Sequence, residues 1–320
     1  MIKLIADSTC DLSDVVLARH RIGIAPLIIQ INGKDYRDRI DIQPDEFYRI
    51  MMELEQNPTT AMPSPAEFLL RMEEGIAEGC KEILCICMSS GTSGSYQSAV
   101  VAADLFYDKY DPAEYKLHVV DSLCMSHGSG YLILKSAQLR EAGYTFEELV
   151  SFNETFKKHI KHYLSVDDLD NLIRSGRLTN ASAFIGKLLK LKPIMTMKDS
   201  RGAIVAKERG RKNVLEHYVR EFMRRVDTEL TTFIIIGYTS DIAYAENLKA
   251  KLLQETGFSG EIHIMQMGVS VGTHVGLGGL SMFFVETDGN RDGLLTNELT
   301  SFKMARDEFL EKFKHRFHRS

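Results

Sequence analysis

Apolar and polar positions follow two rhythms along this chain. Short runs rich in branched residues, Ile2–Ala6, Ile83–Met88 and Leu117–Val120, are bounded by polar residues or glycine and predict strands. Between them, residues 44–55, 65–78, 94–107 and 128–141 repeat apolar side chains at helical spacing. Pro44 and Pro65 stand where a first helical turn tolerates proline. Strand and helix in alternation predict parallel βαβ units with right-handed crossovers.

The rhythm changes near residue 155. Leu164-Ser165-Val166 leads into DDLDNLIRSGRL, which predicts a helix closed by Gly176 as its C′ residue. IGKLLKLKPIM follows, then a hairpin-like turn around Asp199-Ser200-Arg201-Gly202. Lys212–Val226 and residues 243–256 predict helices. Thr232–Gly237 and 261–265 predict strands, the first apolar enough to be buried on both faces. VGTHVGLGGLSMFF, residues 271–284, reads as a tight glycine turn feeding a buried strand, with His274 inside the turn. The charged, amphipathic stretch 297–316 predicts a terminal helix suited to packing or self-association.

At 320 residues the chain is long for a single core. The expected fold class is α/β with two α/β domains: a parallel-sheet N-terminal domain over 1–155 and a mixed α/β domain over 156–288. A helical extension over 289–320 completes it. Apolar residues at 44% and charged residues at 26% are ordinary for globular chains. A net charge of −5 without a long basic run argues against a nucleic-acid partner. MIKLIADSTC lacks the basic-then-apolar plan of a signal peptide, and no apolar run approaches the roughly 20 residues of a membrane span. Five cysteines without a disulfide-like framework point to reduced thiols and a cytoplasmic location. Cys85 and Cys87 alternate with apolar residues on one face of a strand, a weak metal signal, and no metal site is expected.

Hydroxyls and glycines concentrate in four loops that follow strands: ADSTCDLS at 6–13, PTTAMPSP at 58–65, MSSGTSGSYQSA at 88–99 and DSLCMSHGSG at 121–130. Ligands bind open α/β sheets at the strands' carboxyl edge, and a helix N-terminus favours an anion. Each loop alone could be a turn or cap. Together they suggest a hydroxyl-lined anion site, to which Arg177 and His274 would add donors or positive charge. No Walker loop occurs, and Gly91-Thr92-Ser93-Gly94-Ser95 misses the spacing of a nucleophile elbow.

Asp7-Ser8-Thr9, SSGTSGSYQSA, Asp121-Ser122, SGRLTNASAFIGKLLKLKPI and THVGLGG occur in an order that resembles the DegV family over roughly residues 1–285. That resemblance implies two α/β domains with a long-chain fatty acid between them and no cofactor. It implies a fatty-acid-binding, non-enzymatic subunit of a bacterial fatty acid kinase. A separate ATP-binding kinase protein would phosphorylate the bound carboxylate for phospholipid synthesis. It implies Ser93 as carboxylate ligand and Thr60 as a second partner, with Ser90, Gly91, Gly94, Gly276 and Gly278 around the headgroup. Arg177 and His274 would assist phosphoryl transfer or kinase docking. Phe184, Ile185 and Leu188 are expected along the acyl chain, although ordinary core is the alternative for each. The family commonly carries Thr-Ser-Gln-Pro where this chain has Thr60-Ala61-Met62-Pro63, so one hydroxyl and one amide are replaced.

Two other classes fit parts of the pattern. A serine hydrolase or acyltransferase would use Ser93 and His274, oriented by Asp7 or Asp121. A doubly wound enzyme would bind a nucleotide or sugar phosphate.

Overall fold

The computed structural model describes residues 1–54, 56–179, 191–287 and 304–312. Strands β1 (Ile2–Asp7), β2 (Ile22–Ala25), β6 (Glu82–Cys87) and β7 (Lys116–Asp121) form an all-parallel sheet in the order β2-β1-β6-β7. Both faces of β1 are buried, as parallel strands between helices require. The crossover helices include α1 (Asp14–Arg19), α3 (Pro65–Ala77), α4 (Ser95–Tyr107), α5 (His127–Glu141) and α6 (Phe146–Phe156). A small antiparallel sheet, β4-β3-β5, joins β3 (Ile28–Ile31), β4 (Lys34–Arg37) and β5 (Thr59–Ala61) beside α2 (Pro44–Met51).

The second sheet is six-stranded and mixed, in the order β10-β9-β8-β13-β11-β12. Its strands are β8 (Ile160–Ser165), β9 (Leu191–Lys198), β10 (Arg201–Arg209), β11 (Phe233–Tyr238), β12 (Glu261–Gln266) and β13 (Leu280–Val285). Only β11 and β12 pair in parallel. Among the described residues four helices accompany it: α7 (Asp170–Ser175), α8 (Gly210–Arg225), α9 (Ile242–Thr256) and α10 (Val269–Val275). Asp199 and Ser200, both at positive φ, make a two-residue hairpin turn between β9 and β10. Gly176 closes α7 in the left-handed conformation that the sequence assigns to it.

Helix α5 lies between the two sheets. Twelve of its fifteen residues are buried, and it touches β1 and β6 on one side and β8, β11 and β13 on the other. One core therefore runs through both units, joining Leu4, Leu84 and Val120 to Phe233, Ile235 and Phe283 by way of Tyr131 and Ile133.

The glycine stretch departs from expectation. Residues 269–275 are a short helix, α10, rather than a turn, and His274 sits in its last turn. The turn follows at Gly276 and Gly278, both at positive φ, and leads into β13, all six residues of which are buried. Glycine's low helix propensity hides α10 in the sequence. A Cβ at Gly272 would overlap Tyr48 Oη, so the packing of α10 on α2 demands the missing side chain.

The helix expected over 44–55 ends at Met51, and α6, with buried Phe146, Leu149, Phe152 and Phe156 at helical spacing, and the small sheet add to the expected elements. Residues 304–312 are helical; the rest of the expected 297–316 helix lies outside the described residues. Among the described residues no helix is long and apolar enough to cross a membrane.

Candidate functional site

The loops after β1, β5, β6 and β7 converge with α10 and the tip of the β9–β10 hairpin around a cavity of about 420 Å³. That size falls within the roughly 300–1,000 Å³ of small-molecule sites. The loop after β1 builds the wall more than the site. Asp7 accepts hydrogen bonds from the backbone N–H groups of Thr9 and Met88 at 3.0 and 2.9 Å, which ties the ends of β1 and β6 together. Ser8 Oγ donates to Asp38 at 2.8 Å and accepts from Leu27 N at 3.0 Å. Both hydroxyls and carboxylates are thereby used within the protein.

The loop after β6 carries the site. Ser89 Oγ donates to the Ser200 carbonyl at 2.8 Å, so the hairpin of the second sheet leans on this loop. Ser90 donates through N and Oγ to Asp121 at the end of β7. Thr92 and Ser93 turn back through N–H bonds to Ser89 O at 3.0 and 3.1 Å. Ser93 Oγ then accepts from Ser95 N at 3.2 Å and stands 3.0 Å from Ser95 Oγ, at the N-terminus of the 13-residue α4. An anionic group there would meet hydroxyls and the positive end of the helix dipole.

Opposite lies the pair that crosses the two units. Thr60 Oγ1 and His274 Nε2 share a hydrogen bond of 2.9 Å. Burial, with the Arg177 guanidinium nearby, pushes the imidazole down to about 4. Burial therefore favours the neutral imidazole, which can donate or accept a hydrogen bond. Among the described lining residues Arg177 is the only Lys, Arg, Asp or Glu; it is half-buried and donates to Ser175 O.

Exposure falls along the cavity. Ser90 and Met62 are exposed at the mouth, and Thr60, Ser93, Arg177 and His274 are half-buried behind them. Farther in, Leu172, Leu178, Met195, Met267, Val271 and Phe283 are buried. Three inner polar groups have partners, Thr9 with Asp7, Ser126 with Asp11, and His162 Nδ1 with the Ile160 carbonyl at 2.8 Å, whereas the buried Ser281 hydroxyl has none among the described residues. The lining also includes Met88 and Met125, and these flexible thioethers suit an adaptable apolar channel. The arrangement can hold an amphipathic molecule with an acidic head at the mouth and an apolar tail inside.

Of the residues singled out in the sequence, Thr60, Ser90, Ser93, Gly94, Arg177 and His274 line this cavity. Gly91, Gly276 and Gly278 do not. A Cβ at Gly91 would overlap the Ser200 carbonyl, one at Gly276 would crowd Asn171, and one at Gly278 would overlap Asp167. These glycines permit close packing of loops beside the cavity. Phe184, Ile185 and Leu188 lie outside the described residues. Ala61 is exposed; Met62 packs on Gly94, where any Cβ would overlap its Sδ.

No hydrogen bond joins Ser93 to His274 among the described residues: the imidazole is engaged by Thr60, while Asp7 and Asp121 serve other partners. The serine–histidine pairing of a hydrolase is not assembled. Cys85 and Cys87 lie buried with Sγ atoms 3.7 Å apart, among Phe68, Ala99 and Phe106.

Sequence alone does not point to the group that seats α10. Asp11 accepts from Gly268 N at 2.8 Å and from Ser126 Oγ. Asp38 accepts from Ser270 N at 3.4 Å, and Tyr48 Oη donates to Met267 O at 3.0 Å. Burial raises the Asp11 carboxyl to about 8 and that of Asp38 to about 6. Asp38 gives no signal, because it stands in the charged stretch YRDRID, which reads as surface.

The cavity, part hydroxyl-lined and part apolar, lies where the parallel sheet meets the mixed one. The chain belongs to the DegV family: the family model described as "Uncharacterised protein, DegV family" matches residues 1–287. It is 36% identical over 289 residues to a DegV domain-containing protein of Clostridium acetobutylicum, covering 89% of this chain and 98% of that protein. It also resembles the solved structure of a fatty-acid-binding DegV family protein from Thermus thermophilus. That match has a TM-score of 0.79 and 30% identity over 89% of this chain and 99% of the other. DegV of Bacillus subtilis, a fatty acid binding protein, superposes with a TM-score of 0.78 at 27% identity, with the same coverage of 89% and 99%.

Proposed function

We propose that this protein binds a long-chain fatty acid in the cavity between its units and presents the carboxylate to a separate ATP-dependent fatty acid kinase. The observation that carries the reading is the polarity gradient of the cavity, from the hydroxyls of Thr60, Ser90 and Ser93 at its mouth to buried leucine, methionine and phenylalanine. Each buried CH₂ contributes roughly 0.8 kcal/mol, so a sixteen-carbon tail would supply on the order of 10 kcal/mol before ordering costs. The carboxylate is satisfied by hydroxyls at the start of α4, since an unpaired buried charge is costly. It has no fixed counter-ion there, so its oxygen stays available to react.

The neutral His274 holds Thr60 toward the head, and Arg177 supplies positive charge to an incoming phosphoryl group. The chain itself needs no catalytic nucleophile in this scheme; it acts as the lipid-binding subunit, in the cytoplasm, where buried thiols stay reduced.

Native mass spectrometry of freshly purified protein tests the first half of the reading. Co-purified fatty acid is expected, and a preparation that neither carries nor takes up any would sink it. For the second half, Arg177→Gln should keep bound lipid and lower acyl-phosphate formation with ATP and the kinase. Loss of lipid with unchanged turnover of the remainder would reverse that assignment.

A further inference from the structure

Far from the cavity, residues 304–312 form a helix beyond the segment that matches the family. Phe309 packs among three aromatic rings, with centroids 5.2 Å from Phe156, 5.3 Å from Phe152 and 6.1 Å from Tyr144, and Leu310 is buried in the same core. Those rings sit on α6 and the turn before it, which belong to the first unit. Arg306 reaches the other way. Its Nε donates to Asp227 at 2.6 Å and its Nη2 to Glu229 at 2.8 Å, on the turn that leads from α8 toward β11 in the second unit. Asp227 is itself held by the backbone N–H groups of Glu229 and Leu230 at 3.1 and 3.0 Å, so the arginine grips a fixed carboxylate. One helix thus touches both units, beside Lys157–His159, where the chain crosses from α6 to β8.

We propose that helix 304–312 is a strap that controls how readily the two units part to exchange the cavity's ligand. The strap and the cavity lie at opposite ends of the same strands. Asp227 N donates to the carbonyl of Val285 at the end of β13, whereas Ser281, near its start, lines the cavity. Four residues, about 13 Å of strand, separate Val285 from Ser281, and Phe283 between them also lines the cavity, so a rotation at the strapped end is carried along β13 to the cavity wall. The shared core around α5 resists separation of the units, and the strap resists their rotation about the crossover. Because the strap grips the loaded and the empty protein alike, it changes exchange rates more than affinity.

The test rests on the lipid-binding reading and uses the full chain. Wild type and the Phe309→Asp and Arg306→Glu variants are loaded with cis-parinaric acid, and its release into excess serum albumin is followed by fluorescence. Losing the strap should speed release by about three- to tenfold with little change in equilibrium affinity. Glu308→Ala, on the exposed face, should change nothing. Unchanged release from a folded variant whose tail is cut by trypsin much faster than wild type would overturn the strap. Wild type that takes up no parinaric acid would refute the lipid reading instead. The strap would then be judged by amide hydrogen exchange in β8 and β13, which Phe309→Asp should accelerate and which, if unchanged, overturns it.

Discussion

Helices α5 and α10 both join the units of this protein, and they do so by different chemistry. Helix α5 is buried nearly all round and joins the sheets through an apolar core, with Tyr131 stacked on Phe233 at 4.2 Å. Helix α10 belongs to the second unit; Val269 packs among Ile29, Ile42 and Phe47 of the first, and polar contacts fix its position: Asp11 to Gly268 N, Asp38 to Ser270 N and Tyr48 to Met267 O. Apolar burial is non-directional and indifferent to pH, so α5 supplies cohesion. Hydrogen bonds to buried carboxyls are directional and titrate, so α10 supplies position. Helix α10 carries His274 and Ser270 into the cavity, so its position sets theirs.

The largest effect is expected at α5. Phe233→Ala should cost about 3–5 kcal/mol in urea unfolding, since neither sheet can collapse onto the void. A loss below about 1 kcal/mol would mean that the shared core is not what joins the units.

At α10 the space is as constrained as the bonding. Gly272→Ala should destabilise by about 1–3 kcal/mol through overlap with Tyr48 Oη. Adding Tyr48→Phe should recover part of that loss by removing the overlapping oxygen, although alone it costs about 1–2 kcal/mol by orphaning the Met267 carbonyl. Strictly additive costs in the double variant would show that the two residues do not meet.

The pH dependence sharpens the contrast further. An aspartate in an unfolded chain titrates near 3.9, whereas burial raises Asp11 to about 8 and Asp38 to about 6. The folded state keeps these protons. Their contribution is complete below about pH 4 and is lost as pH rises through about 6 and then about 8. His274 acts with the opposite sign: its contribution is present above about 6.5 and lost as pH falls through about 4. Denaturation midpoints between pH 5 and 9 should decline, and Asp11→Asn should flatten the upper part of that decline. A profile identical to wild type would exclude Asp11 as its source.

The smallest effect concerns the pair between the units. Thr60→Val removes a single hydroxyl from a half-exposed hydrogen bond, so stability should change by less than about 1 kcal/mol. Fatty-acid affinity, read by parinaric acid titration, should fall several-fold more than stability suggests. Equal affinity would remove Thr60 from the headgroup.

Much of this architecture is legible in the order of the residues. The parallel strands β1, β6 and β7 declare themselves as short branched apolar runs between polar or glycine residues, and helices α3, α4 and α5 as the longer stretches between them, because a buried strand and the helix that covers it differ in length and composition. The hydroxyl loops after β5 and β6 are visible because sheet topology sends strand ends to one edge. Helix α10 is not, since its one glycine, Gly272, answers to Tyr48, a residue more than 200 positions away in the chain. Asp38 is hidden for the same reason. A carboxylate in a charged stretch looks solvated until the fold closes over it, and only then do Ser8 and Ser270 become its partners.

The sequence by itself therefore determined the α/β class, the order of the main elements and the chemical character of the loops that meet at the site. Which hydroxyl faces which imidazole, that His274 is uncharged, and that a terminal helix bridges both units were decided by tertiary structure alone. Those features depend on distance and desolvation between residues remote in the chain, and local pattern carries no information about either.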